Sequence, residues 1–149
     1  CVIAAHFFEW LGRATPTHYR GVAQDPNQSP KALRECTTPP RYLVVEPVAA
    51  ARADVDARLR FVPLEVIFRL GFPAGSSALG RVPGAREGEK CPTPWVEFST
   101  KLEDQDRLVS DEEAGRVAGL TAGQVQSLKD HVVHLSRALE SELARVGVE

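Results

Sequence analysis

The sequence contains no methionine, and its first residue is Cys1. A translated chain starts with Met unless it has been processed, so the expectation is a matured chain or a piece of a longer one. Cysteine is scarce too: Cys1, Cys36 and Cys91 are far apart and odd in number, and no C-x-x-C pair occurs. That argues against a disulfide framework and for a reducing cytoplasm. No stretch approaches the roughly 18 apolar residues of a membrane span. The opening residues lack the basic segment and apolar run of a secretory signal. There is no basic excess either. Eighteen Lys and Arg face twenty Asp and Glu, a net charge of −2, whereas a general nucleic-acid binder carries a clear positive surplus. What is present is ordinary for a globular chain: 149 residues, 43% apolar and 26% charged. A chain of this length buries about two thirds of its unfolded surface.

Periodicity then orders the chain. Residues 2–12 (VIAAHFFEWLG) place Ile3, Phe7, Phe8 and Leu11 at helical spacing, with Gly12 as a stop. Thr15-Pro16-Thr17 turns the chain into a short extended piece, HYRGV. Residues 23–40 hold Pro26, Pro30, Pro39 and Pro40 among polar residues and read as a long loop, with one helical turn around Lys31–Glu35. Arg41–Val48 is β-branched and aromatic and reads as a strand. So does Leu59–Leu70, with Pro63 marking an edge or bulge. Gly71–Gly88 is a glycine-rich connection, and Pro94–Lys101 is another strand. Ser110 and Glu113 have the S-x-x-E spacing of a capping box, and Thr121 and Gln124 repeat the device. Beyond them Val125, Leu128, Val132, Leu135, Leu139, Leu143 and Val146 recur every three or four residues, an amphipathic helix of about seven turns over 121–147. Strands first and the long helix last predict an α+β fold, with a mainly antiparallel sheet and a long C-terminal amphipathic helix.

Three groups of residues carry chemistry. On the 59–70 strand, Glu65 and Arg69 fall on the same side as Ile67, which suggests a face that meets something polar; the plainer alternative is a solvated salt bridge. Just after it, Ala74-Gly75-Ser76-Ser77 joins a glycine to two hydroxyls. Such a loop can close on an anionic oxygen, and Arg69 can add a bidentate guanidinium; most such loops are only turns. In Glu97–Asp106 (EFSTKLEDQD), Lys101 stands at a strand end before Glu103, Asp104 and Asp106. A lysine among carboxylates can hold a phosphate, though a solvated acidic turn is the plainer reading. His131 and His134 lie three apart on the long helix, but no Cys or carboxylate completes a metal pattern, so no metal site is expected. Cys91 has no matched base for a catalytic thiol.

Four stretches, in order, resemble the SAICAR synthetases (phosphoribosylaminoimidazole-succinocarboxamide synthases) of purine biosynthesis. AAHFFEWLGRATPTHY is similar to that family's helix and G-I-P-T-H turn. FVPLEVIFR, over Phe61–Arg69, resembles its V-P-[IL]-E-V-V-V-R strand, and AGSS follows as its A-G-S loop does. FSTKLEDQDRLVS, over Phe98–Ser110, resembles its S-T-K-x-E…D…[IL]-S segment. The interval from Arg69 to Ser76 is longer than is common in the family, and the Lys101–Asp106 loop is shorter. The resemblance implies an ATP-dependent ligase of SAICAR synthase-like fold. That enzyme joins L-aspartate to carboxyaminoimidazole ribonucleotide through an acyl phosphate, giving SAICAR, ADP and phosphate.

By carry-over, Arg69 with Gly75 and Ser76 or Ser77 would hold the 5′-phosphate. Glu65 would orient Arg69 or the imidazole ring, with Glu103 in a similar supporting role. Lys101 would lie near ATP, and Asp106 (or Asp104) would contact the ribose or amine side. Mg²⁺ would be required, with its main ligands outside this chain. The resemblance covers the middle of the family enzyme. Residues 1–90 would then be part of an N-terminal α+β lobe, and 91–149 the start of a second, ATP-binding lobe, the chain alone being incomplete and inactive. No nucleic-acid or membrane partner is expected, and a homo-oligomer is left open. Two other classes remain: a truncated non-catalytic paralogue that binds a nucleotide or a protein, and a helical interaction domain built on 121–147.

Overall fold

The computed structural model describes residues 1–47, 61–145 and 147, in two units divided between Arg60 and Phe61. The expected strand residues Val48, Leu59 and Arg60, and Val146 of the helical stripe, lie outside the described residues.

In the first unit, helix α1 spans Val2–Leu11 and is followed by strand β1 (Tyr19–Ala23) and strand β2 (Tyr42–Val45), which pair antiparallel. The spacing that predicts the helix also places Phe8 flat against Tyr19, with ring centroids 5.3 Å apart and planes 4° apart. Glu9, one residue on, fastens two other segments: its Oε1 accepts the Tyr19 hydroxyl at 3.1 Å and the Leu33 N–H at 2.6 Å. Burial, reinforced by the Glu9 bond and charge, pushes the Tyr19 phenol up to about 12. The proline-rich 23–40 segment is tied back on itself, Gln24 Nε2 donating to Thr38 Oγ1 at 2.9 Å and to the Pro39 carbonyl at 2.8 Å. Leu33–Glu35 forms a single 3-10 turn, and Lys31 exchanges two backbone bonds with Val22, at 2.9 and 3.1 Å. That approach requires Gly21, whose φ is +142° and where a Cβ would stand 2.7 Å from the Lys31 carbonyl oxygen.

The second unit is a three-stranded antiparallel sheet in the order β3 (Leu64–Gly71), β4 (Lys90–Thr100), β5 (Leu108–Val109), with helices α2 (Asp111–Ala118) and α3 (Ala122–Arg145). Residue 90 opens β4 within this unit. Register sorts the side chains into two faces. Leu64, Val66 and Phe68 pair with Thr100, Phe98 and Val96; Glu65, Ile67 and Arg69 pair with Ser99, Glu97 and Trp95. The first face carries the core: Phe98, wholly buried, packs with Ala114 of α2 and Val125 of α3, flanked by Leu64, Val66, Val109 and Leu120. The second face is the polar one.

Strand β4 begins four residues before the expected start at Pro94. Proline reads as a strand breaker, but here position decides. The Thr100 N–H donates to the Arg107 carbonyl on the β5 side. By the two-residue period of a strand, the even-numbered peptide groups of β4 face that side. Pro94 is even-numbered, and β5 is too short to reach it, so its missing N–H takes nothing from the ladder; Pro92 lies where the β3–β4 register shifts between Arg69 and Gly71. The Arg137 guanidinium takes up the Pro92 carbonyl there.

Both expected caps form. Ser110 Oγ accepts the Glu113 N–H at 3.2 Å, and Thr121 and Gln124 bond reciprocally, side chain to backbone, at 2.9 and 3.3 Å. On α3 the Leu and Val stripe of the amphipathic pattern is covered unevenly. Val125 is buried, but Leu128, Val132, Leu135, Leu139 and Leu143 are half-buried, and Ser136 is buried among them. Ser136 Oγ donates to the Val133 carbonyl at 2.9 Å, which satisfies the hydroxyl within the helix itself. Among the described residues, no helix is long and apolar enough to cross a membrane. The fold is α+β, with antiparallel sheets and a long C-terminal helix.

Candidate functional site

The polar face of β3 and β4 gathers most of the residues singled out from sequence. Arg69 lies two positions along from Ile67, whose cross-strand partner is Glu97. Glu97 is therefore diagonal to Arg69, within reach of a long side chain. Its Oε1 accepts Arg69 Nε at 3.1 Å and Nη2 at 2.9 Å. Arg81 approaches the same carboxylate, with Nη1 3.1 Å from Oε2 and Nη2 3.4 Å from Oε1. Burial alone would push the Glu97 carboxyl up. The hydrogen bonds and charge of Arg81 and Arg69 outweigh it and hold the group below the ordinary carboxylate range.

The glycine-rich connection that delivers Arg81 is a packed lobe. It is tied at its neck by Phe72 N–H to Glu89 O at 2.9 Å and Gly88 N–H to Phe72 O at 2.8 Å. Phe72, Ala78 and Val82 form its own small core. At its start, Pro73-Ala74-Gly75-Ser76 makes a turn closed by Ser76 N–H to Pro73 O at 3.0 Å. Gly75 sits at φ +74°, the left-handed position that a type II turn reserves for glycine. This turn separates the two serines. Ser76 Oγ accepts the Ala78 N–H at 3.3 Å, whereas Ser77 Oγ accepts Arg69 Nη2 at 3.3 Å. The Ser77 carbonyl accepts Arg81 Nε at 2.7 Å. Ser77 is the serine beside the guanidinium.

At the other end of the face, Lys101 continues the parity of Glu97 and Ser99. Its Nζ lies 2.7 Å from Asp106 Oδ2 and 3.5 Å from Glu65 Oε2. Its ammonium is held above the ordinary lysine value, first by the Asp106 hydrogen bond and then by the charges of Asp106 and Glu65. The backbone turns sharply at Leu102, a non-glycine residue at φ +72° with an exposed side chain. Glu103 is carried away to Arg107, whose Nε it accepts at 3.2 Å, while Arg107 Nη1 reaches Glu113 at 2.7 Å.

The expected residues thus form two clusters on one face: Arg69 with Ser77, and Lys101 with Glu65 and Asp106. The carboxylate on Arg69 is Glu97, and Glu65 serves Lys101 instead; four residues along a strand are too far apart for the pair suggested by shared parity. Glu97 and Arg81 had been given no role. Glu97 has a signal in the sequence, the alternation Glu97, Ser99, Lys101 opposite Glu65 and Arg69. Arg81 has none, because only the folded lobe brings it there. A groove beside the cluster is lined by Arg81, Trp95, Glu97, Leu108 and Lys129.

Magnesium prefers an octahedral set of oxygens. Each carboxylate of this face is engaged by a lysine or arginine, and among the described residues no group of three or more His, Cys, Asp and Glu could hold a metal ion. The described residues do not fit a Mg²⁺ site.

The family model described as SAICAR synthetase matches residues 1–149. A provisionally named phosphoribosylaminoimidazole-succinocarboxamide synthase of Archaeoglobus fulgidus is 30% identical over 171 residues, covering 99% of this chain and 50% of its own length. The phosphoribosylaminoimidazole-succinocarboxamide synthase of Pyrobaculum aerophilum is 32% identical over 149 residues, covering 99% of this chain and 51% of its own. A SAICAR synthetase solved by structural genomics superposes with a TM-score of 0.60 at 25% identity, over 97% of this chain and 55% of that one. The chain spans about half the length of the curated relatives it matches. With the match extending over every residue, the chain belongs to the SAICAR synthetase family.

Proposed function

We propose that this chain contributes the ribonucleotide-binding face of a purine-biosynthesis ligase that consumes ATP to join L-aspartate to carboxyaminoimidazole ribonucleotide. The observation that carries the reading is the Arg69–Ser77 pair. A guanidinium and a hydroxyl 3.3 Å apart, with the arginine fork fixed from behind by Glu97, are what a phosphate monoester needs. The groove alongside, with the half-exposed Trp95 on its wall, suits a flat heterocycle.

The chemistry follows from the substrates. A carboxylate is a poor electrophile, because its leaving group would be oxide. Transfer of the γ-phosphoryl group of ATP to a carboxylate oxygen releases ADP and makes that oxygen a phosphate leaving group. The neutral aspartate amine then attacks the carbonyl carbon, the C–O bond to phosphate breaks, and the nitrogen gives up a proton. Such a reaction rests on positioning and on neutralising phosphoryl charge. In this reading Lys101, braced by Asp106 and Glu65, is the cation nearest the transferred phosphoryl group. In the same reading Asp106 contacts the ribose or amine side of the substrates. Mg²⁺ accompanies ATP but takes no ligand from the carboxylates described above. A cytoplasmic enzyme with small-molecule substrates, and no nucleic-acid or membrane partner, completes the proposal.

The test is stoichiometry in the protein that carries this chain. Over many turnovers ADP and inorganic phosphate should appear in equal amounts, and sustained release should need both aspartate and the ribonucleotide. Sustained ADP release that does not depend on the ribonucleotide would overturn the assignment.

A further inference from the structure

The carboxylate of Glu97 is contacted by two guanidiniums where one would neutralise it. Arg69 comes from β3 and Arg81 from the lobe above, and together with Glu97 they leave the cluster one positive charge in excess. Exposure of the side chains rises from 12% at Glu97 through 22% at Arg69 to 37% at Arg81. The acid therefore lies beneath the two cations, and a solute arriving from solvent meets guanidinium first. Each guanidinium has five N–H donors. The bonds to Glu97 and Ser77 use three on Arg69, none of them on Nη1, and three on Arg81. The Ser77 oxygen accepts from Arg69, which leaves its own proton to donate.

We propose that Arg81 is a second phosphate-binding residue of this site, and that Glu97 is the positioning residue that aims both guanidiniums at one phosphate monoester. The proposal rests on the reading of Arg69 and Ser77 as the phosphate-holding pair. Its physical content is preorganisation. Two long cationic side chains pointed at the same place repel each other and lose rotamer freedom. A shared carboxylate beneath them, bonded to both, offsets the repulsion and fixes the forks before the ligand arrives. The backbone bond from Arg81 Nε to the Ser77 carbonyl couples the lobe to the same point, so hydroxyl and both cations are held as one unit.

The alternative is that Arg81 only staples the lobe to the sheet. The two are separated by titrating the full protein with the ribonucleotide and with its phosphate-free nucleoside, and taking the ratio of dissociation constants as the phosphate preference. Arg81→Ala should lower that ratio roughly tenfold to a hundredfold, the loss expected for a charge-assisted contact. Arg81→Lys, which keeps the charge without the fork, should lose part of it and serves if the alanine variant melts early. Glu97→Gln decides the positioning role by sign. Removing a negative charge from an anion site should tighten phosphate binding by simple electrostatics, whereas loss of positioning should weaken it several-fold. A ratio unchanged in Arg81→Lys and Arg81→Ala while Arg69→Ala collapses it overturns the role of Arg81 and leaves the site standing. A ratio unchanged in Arg69→Ala as well overturns the site. Tighter phosphate binding in Glu97→Gln overturns the positioning role.

Discussion

Glu97 Oε1 accepts both Nε and Nη2 of Arg69, at 3.1 and 2.9 Å, across a strand pair in which Glu97 faces Ile67. This diagonal contact turns a pair of alternating strands into a fixed arginine fork. It also makes Glu97 a stability group as well as a site group. Its folded carboxyl is held below the ordinary value of 4.5. A depressed carboxyl stabilises the fold above its unfolded value, and that contribution is lost as pH falls through the folded value. The melting temperature of the wild type should therefore fall more steeply than that of Glu97→Gln on acidification from about pH 6 to about pH 3. Parallel curves would show that the carboxylate contributes nothing to folding.

Tyr19 behaves in the opposite sense. Its phenol, half-buried and bonded to Glu9, is pushed from 10.0 up to about 12. The neutral form is the one the fold favours, so its stabilisation is present below 10.0 and disappears as pH climbs through about 12. In Tyr42→Phe, where Tyr19 is the tyrosine left to titrate, tyrosinate absorbance should rise with a midpoint near about 12. A midpoint at 10.0 would mean that neither the burial of the phenol nor its Glu9 bond holds in solution.

The core prediction concerns Phe98, wholly buried between the sheet and helices α2 and α3. Phe98→Ala should cost about 3–5 kcal/mol, a large share of the 5–15 kcal/mol typical of a domain. In urea the midpoint should drop sharply with the slope unchanged. A shift of about 1 kcal/mol or less would mean that the helices do not cover this face.

Thr121 and Gln124 form a reciprocal cap, side chain to backbone in both directions. Thr121→Ala should destabilise the protein by about 1 kcal/mol. Thr121→Ser should be close to neutral, because the accepting oxygen is retained. Equal losses in both variants would point to packing rather than capping.

The sequence made legible whatever depends on local pattern. Helix α1, the Ser110 cap, the Thr121–Gln124 capping box, the single helical turn near Lys31–Glu35 and the long helix α3 stand where spacing and cap residues put them. The start of β4 was hidden because a proline reads as a strand breaker, yet it is tolerated where no ladder bond is asked of its nitrogen or where the register shifts. Only the pairing partner tells which applies. The site was legible by parity and order. Glu65 and Arg69 share a face, and Lys101 continues the alternation of Glu97 and Ser99. The assignment of partners was not, because it depends on diagonal reach across strands and on a lobe that folds back sixteen residues to bring Arg81 onto Glu97. The choice between Ser76 and Ser77 likewise turns on which hydroxyl is used up within its own turn.

The central claim is that the Arg69–Ser77 corner holds the 5′-phosphate of the ribonucleotide, and isothermal titration of the wild type and Arg69→Ala tests it most directly. The wild type should bind the ribonucleotide at least tenfold more tightly than its nucleoside, and Arg69→Ala should remove roughly 1.5–3 kcal/mol of that preference, leaving only what Arg81 and Ser77 supply. Equal affinity of the wild type for the two, or a preference undiminished in Arg69→Ala, would contradict the claim.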